Sequence, residues 1–278
     1  MLCLLCACTG TAPKNEKPKL TVTLEPLRYF TEAIAGPHYQ VVSMVPKGSS
    51  PESYDPTPQQ LVNLSQSQAY LRIGYIGFEQ VWMEKLEANC PDMKIFDTSK
   101  GVELMRSEGH WHGDHFHEGG VEPHIWNSTR NASIIAENIC QALCQLDPTH
   151  QEDYRKRLSI LKQTIAQTHT NVLTFLENAD STFLIYHPAL TYFARDYGLK
   201  QISIEENGKE PSPAKLKELI ENSRKADARI IFIQQEFDQR NAQLIARELN
   251  LNIVPINPLS YDWDKEMIHV AKALKNSP

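Results

Sequence analysis

Strands and helices alternate along both halves of the chain, and a helical stretch free of glycine and proline lies between them. These features predict an α/β protein: two parallel-sheet α/β lobes joined by a long, rigid backbone helix. The length of 278 residues agrees, because domains typically run about 100–200 residues and two such units fit.

Taken in order, Leu20–Leu24 reads as a short β-branched strand, followed by a helix through Leu27, Phe30 and Ile34. Gln40–Val45 is a second strand and leads into a Pro- and Ser-rich loop, Pro46–Pro58. A helix at Gln59–Gln66, a strand at Ala69–Ile73, a helix at Phe78–Ala88 and a strand at Lys94–Phe96 complete the first half. The connector is helical and broken by Asp147-Pro148. Its second arm, Thr149–Glu177, carries Leu158, Leu161, Ile165, Val172 and Phe175 near helical period, and as one helix would be about 40 Å long. The second half repeats the scheme, with strands at Thr182–Tyr186, Gln201–Ile204, Arg229–Gln234 and Asn252–Ile256. Its helices are Ala189–Tyr197, Pro213–Ala226, Asn241–Leu249 and Asp264–Lys275, with Ser212-Pro213 supplying an N-cap and a first-turn proline. The units are then 19–147 for the first lobe, 148–180 for the linking helix and 181–278 for the second lobe. Two lobes on such a helix leave a cleft, a common place for a ligand.

Composition narrows the function classes. Subtracting 34 acidic from 28 basic residues gives a net charge of −6, and no long lysine or arginine block exists, which argues against nucleic acid as a partner. No run of about 18 apolar residues spans a membrane. Residues 1–18 read as a signal remnant and flexible tether. Leu5-Cys6-Ala7-Cys8 resembles a bacterial lipobox, in which Cys8 would carry lipid. The basic start is missing and the apolar core is short, so either the true start lies upstream or the segment is an apolar tail of no consequence. Beyond Cys8, Cys90, Cys140 and Cys144 remain, an odd number that cannot fully pair. Cys140 and Cys144, four apart on a helix, can hold a metal but read better as small apolar core residues.

Three loops carry residues suited to chemistry: Pro51-Glu52-Ser53-Tyr54-Asp55-Pro56-Thr57-Pro58, Glu122-Pro123-His124-Ile125-Trp126-Asn127, and Tyr186-His187-Pro188-Ala189. His124 precedes a helix and His187 ends a strand, so both can face the cleft. A lone histidine in such a place is more often structural. Two with a carboxylate nearby point to a metal site.

In order and spacing, the three loops, the stretch Tyr192-Phe193-Ala194-Arg195-Asp196-Tyr197-Gly198-Leu199 and the tail Ile256-Asn257-Pro258-Leu259 resemble the solute-binding proteins of bacterial ABC importers for zinc and manganese. The resemblance covers nearly everything from Leu20 onward. It implies one metal between two lobes, with His124 on the first lobe and His187 as the first ligand of the second. Manganese members usually have glutamate at the latter position, so His187 is zinc-like. Asp262 falls near the family's C-terminal aspartate ligand, though the register can slip to Asp264. The family usually has histidine where this chain has Glu52, and glutamate can bind the same ions. The implied set is therefore Glu52, His124, His187 and Asp262, holding Zn(2+), with Mn(2+) as the alternative. The resemblance also implies an extracytoplasmic, lipid-anchored monomer whose partners are an ABC permease and, through it, an ATPase.

Two neutral imidazoles and two carboxylates neutralise a divalent cation, which lowers the cost of burying it. Nitrogen-rich tetrahedral sites suit zinc, while each added oxygen makes manganese more tolerable. The segment His110-Trp111-His112-Gly113-Asp114-His115-Phe116-His117, within 107–120, holds four of the ten histidines and reads as a flexible auxiliary chelator of lower affinity than the cleft. The alternative reading is a polar loop that binds metal only incidentally. A zinc hydrolase would need an open coordination position beside a general base, and neither a His-Glu-x-x-His helix nor a Gly-x-Ser-x-Gly elbow is present. A cell-adhesion role, a label attached to some relatives, would be secondary to metal binding.

Overall fold

The computed structural model describes residues 17–106, 110–112, 115–117, 120–205, 211–237 and 240–275. Cys8 and the tether up to residue 16 lie outside these residues, as do the side chains of 107–119.

The first lobe runs β1 (Lys19–Val22), α1 (Glu25–Ala35), β2 (Gln40–Ser43), α2 (Pro58–Leu64), β3 (Ser67–Arg72), α3 (Gly77–Asn89) and β4 (Lys94–Asp97). All four strands are parallel, in the order β2-β1-β3-β4. Leu20, Val22, Ala69, Tyr70 and Leu71 are buried because helices cover the sheet, as parallel sheets require. Thr57 caps α2 with a capping box completed by Gln60, so the Pro- and Ser-rich loop ends at a defined point.

Next come β5 (His110–His112) and β6 (His115–His117), an antiparallel pair in which His110 lies opposite His117 and His112 opposite His115. The expected flexible loop is therefore a two-stranded ribbon. Histidines alternate there with Trp111 and Phe116, a period-two pattern that suits strands. The connector is α4 (Thr129–Leu146), capped by Ser128, then the Asp147-Pro148 break, then α5 (Gln151–Leu176). At 26 residues α5 is about 39 Å long, and it buries Tyr154, Leu161, Ile165, Thr168 and Val172. Asp147 secures the break by accepting hydrogen bonds from the Thr149 N–H, the Tyr154 hydroxyl and His150.

The second lobe is β7 (Thr182–Ile185), α6 (Thr191–Tyr197), β8 (Lys200–Ser203), α7 (Pro213–Lys225), β9 (Ile230–Gln234), α8 (Arg240–Leu249), β10 (Asn252–Ile256) and α9 (Trp263–Lys275). Its sheet is again all parallel, in the order β10-β9-β7-β8. Ser212 caps α7 through the Lys215 N–H. Cys90, Cys140 and Cys144 are free thiols. Burial and the neighbouring Cys144 push the Cys140 thiol up to about 12, which fits a core residue rather than a thiolate ligand.

α9 does not stay with its own lobe. It packs along α5, and Trp263 meets Phe30 of α1 edge-on at 5.1 Å. The Trp263 indole N–H donates to the Trp126 carbonyl at 2.7 Å, and the Trp126 indole N–H to the Pro258 carbonyl at 2.8 Å. One continuous apolar core therefore takes residues from both lobes and the linking helices, and a smaller one under α8 serves the second lobe alone.

Candidate metal centre

The centre is assembled from strand ends and one loop. Glu52 lies in the loop after β2, His124 in the irregular segment before α4, and His187 two residues past β7. In parallel sheets the carboxyl ends of the strands open toward ligands. Among the described residues these three form the one group of acidic, histidine and cysteine side chains whose donor atoms all lie within 4.8 Å of one another. The two histidine Nε2 atoms face each other at 3.1 Å, and Glu52 Oε1 is 4.0 Å from His124 Nε2.

Each imidazole is held from behind. His124 Nδ1 donates to Glu122 Oε1 at 2.5 Å, and His187 Nδ1 to Glu205 Oε2 at 3.1 Å. Donation from Nδ1 leaves the Nε2 lone pair of a neutral ring pointing into the centre. A hydrogen bond between the two Nε2 atoms then requires one ring to carry a second proton, which a cation between them would replace. Burial alone would depress His124, but the charge and hydrogen bond of Glu122, with Glu52 and Glu205, hold it above the ordinary imidazole range. Burial would likewise raise Glu122, yet the His124 ring and backbone N–H, then His187, hold it below the usual carboxylate range.

The surroundings fix these groups in place. Trp126 packs edge-on against His124, and Phe237 stacks on His187 with ring centroids 4.7 Å apart. Gln234, the buried last residue of β9, grips the His187 backbone twice, donating to its carbonyl at 2.8 Å and accepting from its N–H at 3.3 Å. The Thr191 hydroxyl donates to Glu122 Oε2 and the Tyr192 hydroxyl to the Glu122 carbonyl, so the second lobe also braces the carboxylate behind His124. On the Glu52 side, the buried Glu79 accepts N–H bonds from Ile73 and Gly74 at 2.8 and 2.7 Å and a hydroxyl bond from Thr23. Desolvation raises this carboxyl to about 7. A cavity of about 680 Å³ opens on the centre, with Glu52, Glu122 and Glu205 on its walls.

Asp262 is not brought to the centre. Its side chain is 57% exposed and paired with Lys265 at 2.8 Å. The chain after Pro258 and Leu259 turns toward α1, where the Tyr261 hydroxyl donates to Glu32 at 2.6 Å, and the buried Trp263 locks that register. Asp264 faces Tyr29 of α1, so slipping the register by two residues does not supply a ligand either. The carboxylate the second lobe does place beside the centre is Glu205, two residues past β8. Neither Glu205 nor Gln234 carried a sequence signal beyond its position at a strand end. His110, His112, His115 and His117 lie on the ribbon, and their side chains fall outside the described residues.

Comparison with known proteins agrees with the fold. The family model for the zinc-uptake complex component A, periplasmic (ZnuA), matches residues 20–277. The crystal structure of ZnuA superposes with a TM-score of 0.87 at 32% identity, covering 94% of this chain and 99% of that one. A ZnuA deletion mutant with zinc bound superposes with a TM-score of 0.86 at 33% identity, covering 94% and 98%. The manganese ABC transporter substrate-binding lipoprotein PsaA of Streptococcus pneumoniae is 27% identical over 263 residues, 90% of this chain and 83% of PsaA. With the family model covering almost the whole folded chain and two histidines and a glutamate meeting between its lobes, the protein belongs to the ZnuA family of metal-binding ABC transporter substrate-binding proteins.

Proposed function

We propose that this chain is the extracytoplasmic zinc-capturing component of an ABC importer, taking Zn(2+) between its lobes and delivering it to a membrane permease driven by a separate ATPase. The observation that supports the choice of ion is the donor set, two imidazole nitrogens facing each other with one carboxylate beside them. Glu52 supplies a third donor. Three protein ligands of this kind suit a four-coordinate ion better than one demanding six oxygens. Glu122 and Glu205 act behind the histidines and add negative charge that offsets the dication. Manganese is the second reading, favoured by the name of PsaA and by the carboxylate at position 52. The chain's family consists of ABC transporter substrate-binding proteins, which supports a role in binding rather than catalysis.

Cys8 is proposed as the lipid-carrying residue, which would tether a monomer to the outer face of a bacterial membrane, and His110, His112, His115 and His117 as an auxiliary zinc-gathering ribbon. No described helix is long and apolar enough to cross a membrane. The test is a competition titration of metal-stripped protein with zinc and manganese, repeated on His187→Ala. Zinc should win in the native protein, and His187→Ala should weaken it by more than about a hundredfold, beyond the usual loss for an outer-shell partner. Undiminished zinc affinity in that variant would defeat the assignment.

A further inference from the structure

The family resemblance calls for histidine at position 52, and this chain instead meets its glutamate with a purpose-built neighbour. Gly77, the first residue of α3, donates its N–H to Glu52 Oε2 at 3.2 Å, and the next N–H, of Phe78, goes to the Pro51 carbonyl at 2.8 Å. The approach is so close that a Cβ at residue 77 would sit 2.7 Å from the Glu52 carbonyl oxygen and 2.8 Å from Oε2. Gly77 does not occupy the left-handed region, so the glycine answers a steric need and not a conformational one.

The platform carrying Gly77 is itself constrained. Gly74 and Tyr75 have φ of 81° and 62°, an uncommon geometry for tyrosine, and the buried Glu79 pins the turn through the Ile73 and Gly74 amides. With Oε2 engaged, the oxygen directed at His124 is Oε1.

We propose that Gly77 is a specificity-determining residue: by holding Glu52 Oε2 it restricts Glu52 to one oxygen toward the ion, keeps the coordination number low and favours zinc over manganese. A glutamate free to bind through both oxygens would raise the count toward the six that manganese accepts. This rests on the reading of Glu52, His124 and His187 as the ion site.

The experiment is a zinc and manganese competition titration of four metal-stripped proteins: native, Gly77→Ala, Glu52→Ala and the double variant. Gly77→Ala should weaken zinc about tenfold or more, the range for outer-shell partners, and manganese much less, so the zinc-to-manganese ratio falls. In the Glu52→Ala background the same change should matter by less than about twofold, because its effect passes through Glu52. Equal losses for both ions, or an undiminished loss in the Glu52→Ala background, would overturn the proposal. Unchanged zinc affinity in Glu52→Ala overturns the ligand assignment beneath it, whereas a loss there with none in Gly77→Ala overturns the role of Gly77 alone. Should Gly77→Ala fail to fold, a crystal structure of the zinc-loaded native protein decides. Oε2 on the Gly77 amide with Oε1 on zinc is expected, and a bidentate Glu52 rules the proposal out.

Discussion

At the residue scale, two glutamates that touch no ion in the proposed mechanism have distinct jobs from the three donors. Glu122 and Glu205 set which nitrogen of each histidine carries the proton, and this decides whether Nε2 can act as a ligand. Glu205→Gln should therefore weaken zinc by about 10–100-fold in calorimetry, whereas Asp262→Ala should leave the affinity unchanged, since Asp262 spends its charge on Lys265 at the surface. A strong effect at Asp262 would return it to the site. That His124, His187 and Glu52 meet in one cleft was legible in the sequence because each lies in a loop whose order and spacing resemble the family pattern. Glu205 and Gln234 were not, because only the pairing of β7 with β8 and β9 sets them beside His187. Asp262 was misplaced because a motif fixes spacing along the chain, while the burial of Trp263 decides which way the chain turns.

At the element scale, β-branched runs and helical periodicity located nearly every strand and helix, since each element is short, regular and buried on a predictable face. The ribbon β5–β6 escaped because histidine has little intrinsic preference, and the alternation with Trp111 and Phe116 was outweighed by the nearby glycines. The turn into α3 was also invisible, because its geometry depends on Glu79 reaching back to amides five and six residues earlier. That carboxyl titrates at about 7 in the fold against 4.5 when unperturbed, owing first to desolvation. The folded protein therefore binds the proton more tightly than the unfolded chain. Stability from this group is complete below about pH 4.5 and is lost as the pH rises through 7, by about 3 kcal/mol. Urea unfolding of metal-stripped protein across this range should show the decline, and Glu79→Gln should flatten it. An identical slope in the variant would place the titration elsewhere.

At the scale of the whole molecule, the two lobes, the parallel sheets and the long helix followed from alternation and length. The path of the last helix did not, since amphipathicity says that α9 must bury a face without saying against which lobe. Trp263 lies at the meeting point of α1, α9 and the segment carrying His124, so Trp263→Ala should cost about 3–5 kcal/mol in urea unfolding, with one cooperative transition reporting both lobes. Two separated transitions would mean that the shared core does not couple them. The same helix governs the order in which the molecule can be made. Tyr261 and Glu32, bonded across 229 residues, belong to one packed surface, and α1 and α5 have no cover for that surface until α9 arrives. Closing so long a loop is slow, and a chain still being synthesised would carry its first lobe unfinished to the end. Losing α9 would leave α1 and α5 with an uncovered apolar face.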